Sequence, residues 1–445
     1  MWLNREKKVM TLTFGCFASM KLHKRLNMKS ESALKIESLI QKGVKIPNPQ
    51  SVEIGSEVNI DKISGEGVTI YSGCKIFGSS ILILKGTKLG YEGPVTIDNC
   101  QVGPQVELKS GFFRNAVFLE KASLGSGANV REGTIMEEES SVAHSVGLKQ
   151  TILFPFVTLG SLINFCDCLM SGGTSRKDHS EVGSSYIHFN YTPNQDKTTP
   201  SLVGDVPRGV MLNQKPIFLG GQGGLVGPCR LEFGTITAAG TICRKDQLQP
   251  GHLIFESITK SGNIPFTFGI YPGIKRIVFN NIVYIGNLMA LEQWYKHVRS
   301  QFVSNDFPEP LLDALKEKLA MAVDERIERL KTLSQKMPNS VKVYQKISKE
   351  NASSRILQQK NEFYNKWNEI EDYFRSLTNI VVNENLRDMF METIRLGIIN
   401  TGKDYISVIT QLKSEDKKHG SRWLQSIVDH IVDGVLKIIP SFDNT

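Results

Sequence analysis

The run LVGPCRLEFGTITAAGTI, residues 225–242, sets Leu225 six positions before Leu231 and keeps glycine close beside its apolar residues. The same beat runs through VEIGSEVNIDKI (52–63), VGPQVEL (102–108) and LGSGANVREGTI (124–135). Six is too long for the alternation of a half-exposed strand and matches no helical period. A short strand and a tight turn per hexad make the signature of a parallel β-helix, in which each coil is stabilised by stacking on the next. Three hexads close one triangular coil of about eighteen residues, so residues eighteen apart stand one above the other at about 4.8 Å.

The beat predicts an N-terminal extension over 1–50, a parallel β-helix over 51–250, a bridge over 251–283 and an α-helical domain over 284–445. It is irregular over 65–91 and 111–120, and broken over 171–216, a stretch that includes the polar, proline-containing HFNYTPNQDKTTPSLVGD (188–205). Such interruptions are expected to leave the prism as surface loops. Past the bridge, Leu312, Leu315, Leu319, Val323, Ile327, Leu330 and Met337 recur at helical spacing, and so do Phe363, Trp367, Ile370, Phe374 and Leu377, with Pro338 expected to separate the two helices. These stripes read as core or trimer contacts, and His430 reads as a surface residue.

Hydrophobic residues make up 40% and charged residues 22% of the 445, ordinary values for a globular protein. The formal charge of +8, from 53 Lys+Arg against 45 Asp+Glu, favours anionic ligands such as phosphates without demanding nucleic acid. Seven scattered cysteines argue for free thiols in a reducing compartment, hence a cytoplasmic protein, and Cys166 and Cys168 read as two strand positions rather than a metal pair. The N-terminal REKKVM and TLTFGCFASM faintly resemble a secretion signal but lack a cleavage site. Translation from Met28 instead of Met1 is an equal alternative. No window is apolar enough to span a membrane.

With the hexads in place, the chain resembles the left-handed β-helix acyltransferases. It is most similar to the C-terminal acetyltransferase domain of the bifunctional N-acetylglucosamine-1-phosphate uridyltransferase/glucosamine-1-phosphate acetyltransferases, over roughly Leu124 to Asp246. The resemblance implies a left-handed prism, a homotrimer with sites between subunits, acetyl-CoA or another acyl-CoA as co-substrate, and a place in the UDP-N-acetylglucosamine pathway. In LGSGANVREGTIMEEESSVAHSVGLKQTIL (124–153), Arg131 and Lys149 match the family's sugar-phosphate cations, eighteen residues apart and so predicted on one face. EVGSSYIHFNYTPNQDKTTPSLVGD (181–205) implies acyl-CoA contacts at Ser184, Asn190 and Tyr191, with the excursion as a wall of the site and Lys197 as a possible anion contact. IFLGGQGGLVGPCRLEFGTITAAGTICRKD (217–246) adds Gly221 and Ala239, where small side chains also serve coil stacking.

The sequence departs from the family at the general base. Counting twelve from Lys149 reaches Ser161 where the family has histidine, and Asn164 stands for the sugar-contacting tyrosine. A serine of ordinary pKa does not take an amine proton near neutrality. A relocated base is sought in His179, on extra residues 170–180 that would fold back with Arg176 and Lys177, or in the neighbouring His188. Two readings stand against the transferase: a non-catalytic sugar-phosphate-binding or trimeric scaffold protein, and UDP-N-acetylglucosamine pyrophosphorylase activity. The latter is disfavoured because the hexads begin by residue 52 and no glycine-rich nucleotide loop precedes them.

Overall fold

The computed structural model describes residues 30–255, 263, 265–348, 353–377 and 380–443. Cys16, the signal-like segment and Met28 lie outside the described residues, and the bridge is described only in part. The N-terminal part is a parallel-strand β-solenoid of about 11 turns, followed by a helical region. One face is a ten-stranded parallel sheet running from Thr69–Ile70 to Leu253–Ile254. The second face carries Ala128–Val130 and Ile187–Phe189, and the third carries Ala116–Phe118 and Thr134–Met136. Strands Gly147–Leu153 and Asn164–Met170 each turn the corner between second and third faces without a break.

The hexad makes this shape because each corner is turned by a residue in the left-handed region. Along the corner between first and second faces these are Gly127, Ser145, Leu162, Ser185, Gln222 and Gly240, with φ of 70°, 57°, 59°, 61°, 55° and 75°. The apolar beat fills the prism interior: Val106, Leu108, Phe113, Val117, Leu124 and Val130 are fully buried. The lower end is closed by the helix Glu31–Lys42, capped by Ser30, which buries Ile36 and Leu39. Its Lys35 donates to the carbonyls of Gly55, Ser56 and Val58 at 2.9, 2.6 and 3.0 Å. Within the expected extension, Lys45 already bridges Thr69.

The break at 171–216 is not one loop. Strands Glu181–Val182, Ile187–Phe189 and Ser201–Val203 complete a coil inside it, with an excursion at each side. The hairpin Gly173–Ser175/Asp178–His179 leaves the corner between third and first faces. The excursion 190–200 leaves the corner between second and third faces, and instead of a surface loop it is packed under the helices. Asn194, Asp196, Thr198 and Thr199 are buried there. Asp196 accepts from Tyr271 at 2.8 Å, Asn194 donates to the Ile270 carbonyl at 2.6 Å, and Asn281 donates to the Thr198 carbonyl at 3.0 Å.

The helical region begins at Lys275 rather than near 284, with the helix Lys275–Gln293. Pro338 does not divide two helices: it lies inside the helix Glu309–Ser348. Burial of Leu330, Leu333, Met337 and Ser340 on both sides of the proline carries the helix through it, outweighing a local cost of about 3 kcal/mol. That helix lies along the third face against Gln101–Val102, Ala116–Phe118 and Thr134–Met136, while Ser414–Ile438 covers Lys275–Gln293 from outside. The stripe residues Leu312, Leu315, Leu319, Phe363, Trp367 and Ile370 are core, and His430 is exposed. Polar pairs join the two parts: Tyr295 to Glu137 at 2.6 Å, Arg299 to Glu138 at 2.5 Å and Arg326 to Asp167 at 2.7 Å. No helix of the described residues is long and apolar enough to cross a membrane.

Candidate functional site

With the third face covered by helices, an open groove of about 580 Å³ lies on the second face and its corner with the first, between Arg131 below and Leu162 and Asn164 above, over Gly147 and Cys166. Pairing sets this arrangement. Val130 pairs with Leu148 and Lys149 with Cys166, so Arg131, Lys149 and Cys166 follow one another up three coils. Arg131 is exposed and makes no ion pair among the described residues. Lys149 is tied to Glu132 at 2.6 Å. Burial would raise the Glu132 carboxyl, yet the Lys149 hydrogen bond, its own backbone amide and Arg114 hold it below the usual range. The two cations therefore share a face, one of them neutralised by a neighbour.

Asn164 is exposed in the groove and accepts from the Cys166 thiol at 3.1 Å. Burial first, and the Asp167 carboxylate second, push that thiol up to about 11, against the pull of Arg131, Lys149 and Lys197. Those three cations act on one sulfur beside the groove. Lys197 holds its ammonium 4.7 Å from the centre of the Tyr191 ring, whose face attracts a cation. Tyr191 is 54% exposed. Asn190 faces inward and donates to Asp167 at 2.6 Å. Asp167, buried at a corner with φ of 59°, takes its other bond from Arg326. The excursion after Asn190 is thus anchored to the helices, with Tyr191, Pro193 and Gln195 left exposed on its outer side.

His179 and His188, the histidines in which a relocated base is sought, both lie away from the groove lining. His179 sits on the hairpin at a different corner, with Nδ1 2.9 Å from the Arg176 carbonyl and Nε2 3.8 Å from Glu181. Arg176 donates from the same hairpin to the Glu139 and Phe156 carbonyls at 3.0 and 2.8 Å. Neither residue lines the groove. His188 is buried between the Cys166 carbonyl, 2.5 Å from Nδ1, and Ser201 Oγ, 2.8 Å from Nε2. Burial pushes its imidazole down to about 4, so it is a neutral structural bridge.

The histidine beside the groove is His144, which the sequence reading missed. Its Nδ1 lies 2.8 Å from Ser161 Oγ, seventeen residues on. Strict eighteen-residue counting puts Ala143 beneath Ser161; this coil is one residue shorter, as the pairing of Ser141 with Thr158 records. Ser145 and Leu162, the residues next in chain to the pair, line the groove, so the pair stands at its rim. Ser161 N–H donates to Ser184 Oγ at 3.1 Å. Ser184 and Gly221 continue the corner upward, since Gln222 N–H donates to the Ser184 carbonyl and Gly240 N–H to the Gly221 carbonyl at 2.8 and 2.9 Å. Ala239 follows, exposed, one coil above Gly221. A Cβ on Gly221 would meet the Ser184 carbonyl oxygen at 2.9 Å, so coil stacking alone requires glycine there. Below His144, Glu92 accepts from Ser126 and pairs with Lys109 at 3.0 Å; these bonds, and His144 more weakly, hold its carboxyl below the usual range. The described residues contain no group of three or more His, Cys, Asp or Glu placed to hold a metal ion.

No protein-family model matches the chain. Curated relatives do. The bifunctional protein GlmU of Thermotoga maritima is 26% identical over 216 residues, 48% of this chain and 42% of its own length. The proteins of the same name from Fervidobacterium nodosum and Clavibacter sepedonicus are 27% and 25% identical over 47% and 52% of this chain. The chain spans about two fifths of the length of these relatives, 41% and 42% for the latter two. The hexad repeat, the parallel solenoid and these distant relatives agree that the chain resembles the left-handed β-helix acyltransferases.

Proposed function

We propose that the solenoid is an acyltransferase-like module that binds an acyl-CoA thioester and an amino sugar phosphate or nucleotide sugar, acting on the latter's amine. The observation that carries this reading is an exposed Arg131, without an ion pair among the described residues, in a groove whose rim holds the His144–Ser161 pair. Arg131 would take the phosphate through two parallel hydrogen bonds, Asn164 would meet the sugar, and Lys149 would contribute once Glu132 yields to the anion. His144, in contact with Ser161 at the position where the family has its base, would accept the amine proton as the amine attacks the thioester carbonyl. Ser184, Gly221 and Ala239 offer a small-residue corner for the pantetheine arm, and Tyr191 with Lys197 offers a ring and a cation to its nucleotide end.

Trimeric assembly fits the same reading, because Leu162, Ile187, Phe189 and Tyr191 leave apolar side chains in solvent beside the groove. The six described cysteines are free and buried, which suits a reducing compartment such as the cytoplasm. A second reading, a binding or scaffold protein without turnover, draws on the Lys149–Glu132 pair and on serine at position 161. Acetyl-CoA with a panel of amino sugar phosphates, followed by release of free thiol, tests the transferase. Silence across the panel with calorimetric binding of the sugar phosphates retained selects the scaffold. Release of pyrophosphate from UTP and a sugar 1-phosphate would establish the pyrophosphorylase instead.

A further inference from the structure

We infer that Ser161 is itself a nucleophile, taking the acyl group as an ester on its Oγ before the acceptor does, with His144 as its base. The inference rests on the acyl-thioester reading above. An activated serine needs a base within hydrogen-bond reach of its oxygen, and His144 Nδ1 stands 2.8 Å from Ser161 Oγ. With the proton of the neutral ring on Nε2, Nδ1 accepts from the hydroxyl. The pair is at a prism corner, His144 exposed and Ser161 half-buried, beside the groove rather than under the helices.

The surroundings supply the remaining roles. Ser161 N–H is held by Ser184 Oγ, which leaves the Ser184 hydroxyl proton to be given to an oxyanion at the same corner. Below His144 on the same corner, the Glu92 carboxylate accepts from Ser126 and pairs with Lys109 at 3.0 Å. The corner column reads Ser126, His144, Ser161, Ser184, Gly221 and Ala239. Of its three serine hydroxyls, Ser161 is the one that the imidazole of His144 touches.

The step balances without another reactant. Oγ attacks the thioester carbonyl carbon while its proton passes to His144; the C–S bond breaks, and the imidazolium returns the proton to the departing sulfur, giving the Ser161 ester and free CoA thiol. An incoming amine then attacks the ester, gives its proton to His144, and Ser161 Oγ leaves with that proton, giving the amide.

The test uses the full chain with acetyl-CoA and no acceptor, quenched at early times. We expect a burst of one free thiol per chain and one acetyl group on the peptide containing Ser161. Ser161→Ala should abolish the label while calorimetric CoA binding persists, and His144→Gln should slow labelling by about 10²–10⁴-fold, as removal of a general base does. p-Nitrophenyl acetate separates the two inferences, since it needs no CoA site. A chain that binds acetyl-CoA but is acetylated at Ser161 by neither reagent overturns the nucleophile and leaves the acyl-CoA reading standing. Acetylation at Ser161 by the ester, with no CoA binding, supports the nucleophile and overturns the acyl-CoA reading. Acceptor turnover by Ser161→Ala at the wild-type rate overturns the nucleophile outright.

Discussion

Replacing Arg326 with leucine would leave the Asp167 carboxylate buried with only Asn190 for a partner. Asp167 is 5% and Arg326 2% exposed, and their bond is 2.7 Å long, so water cannot take the place of the guanidinium. Removing one member of such a pair costs about 3–5 kcal/mol, whereas exchanging both for neutral groups of similar shape is close to neutral. The Asn190 bond survives, so we set Arg326→Leu near the lower bound, at about 3 kcal/mol, and Arg326→Leu with Asp167→Asn at about 1 kcal/mol. Asparagine tolerates the left-handed corner at 167, so the second substitution adds no backbone strain. A chain with two structural parts is poorly served by a single unfolding midpoint. Amide hydrogen exchange over Asn164–Met170 and Ile187–Phe189 reads the local opening instead. Protection should fall in both strands in the single variant and return in the double. Acetyl-CoA affinity should follow the same order, because Asn190 is placed by Asp167. A single variant costing less than about 1 kcal/mol, or a double costing as much as the single, would refute the pair as the anchor of this corner.

Arg131→Ala should weaken sugar-phosphate binding by about 1.5–3 kcal/mol, the worth of hydrogen bonds to a charged group, and Lys149→Ala by less; Glu132→Gln should tighten it, all by calorimetry. Leu162 is 58% exposed in a left-handed conformation, so Leu162→Gly should stabilise this corner by about 1 kcal/mol, read as stronger amide-exchange protection over Asn164–Met170. Burial first, and the neighbouring Glu138 second, raise the Glu137 carboxyl to about 7 from the ordinary 4.5. The folded chain therefore holds a proton that the unfolded chain has released between these values, so the stability tied to this group is present below pH 4.5 and is lost as the pH rises to about 7. Glu137→Gln, which can still accept from Tyr295, should flatten that decline and raise local stability at pH 8 by roughly 3 kcal/mol, read by amide hydrogen exchange over Thr134–Met136 across the pH range.

The hexads were enough to read the solenoid, because a six-residue beat has one physical solution, and Arg131 and Lys149 fall on one face as their spacing requires. Two features defeated the same arithmetic. His144 meets Ser161 only because one coil is a residue short, and a count in eighteens carries no signal of that deletion. The excursion at 190–200 reads as solvated from its Asn, Asp, Thr and Lys content, yet Asp196 is satisfied by Tyr271, the Thr198 carbonyl by Asn281, and Asn194 by the Ile270 carbonyl. Partners some eighty residues away are invisible to local composition. His179 misled for the converse reason: nearness in sequence to Ser161 says nothing about which of three corners a hairpin leaves.

The helices also explain why the groove lies where it does. A solenoid offers three faces, and here the third is covered by Glu309–Ser348, while the corner between second and third faces is tied to that helix through Asp167 and Arg326. Lateral approach by a ligand or another copy of the chain is then confined to the first and second faces and the corner they share. That corner carries His144, Ser161, Ser184 and Gly221, and the second face carries Arg131 and Asn164. The buried Arg299–Glu138 ion pair and the Tyr295–Glu137 hydrogen bond hold the cover in one place, since shifting it would strand a charge and a buried polar group whose partners lie on the opposite element. On this argument the helical region acts on the candidate site by exclusion and by anchoring Asn190. Loosening it through Arg326→Leu should therefore weaken binding at the groove while His144 and Ser161, which share no hydrogen bond with a helix among the described residues, remain as reactive toward a small ester as in the unaltered chain.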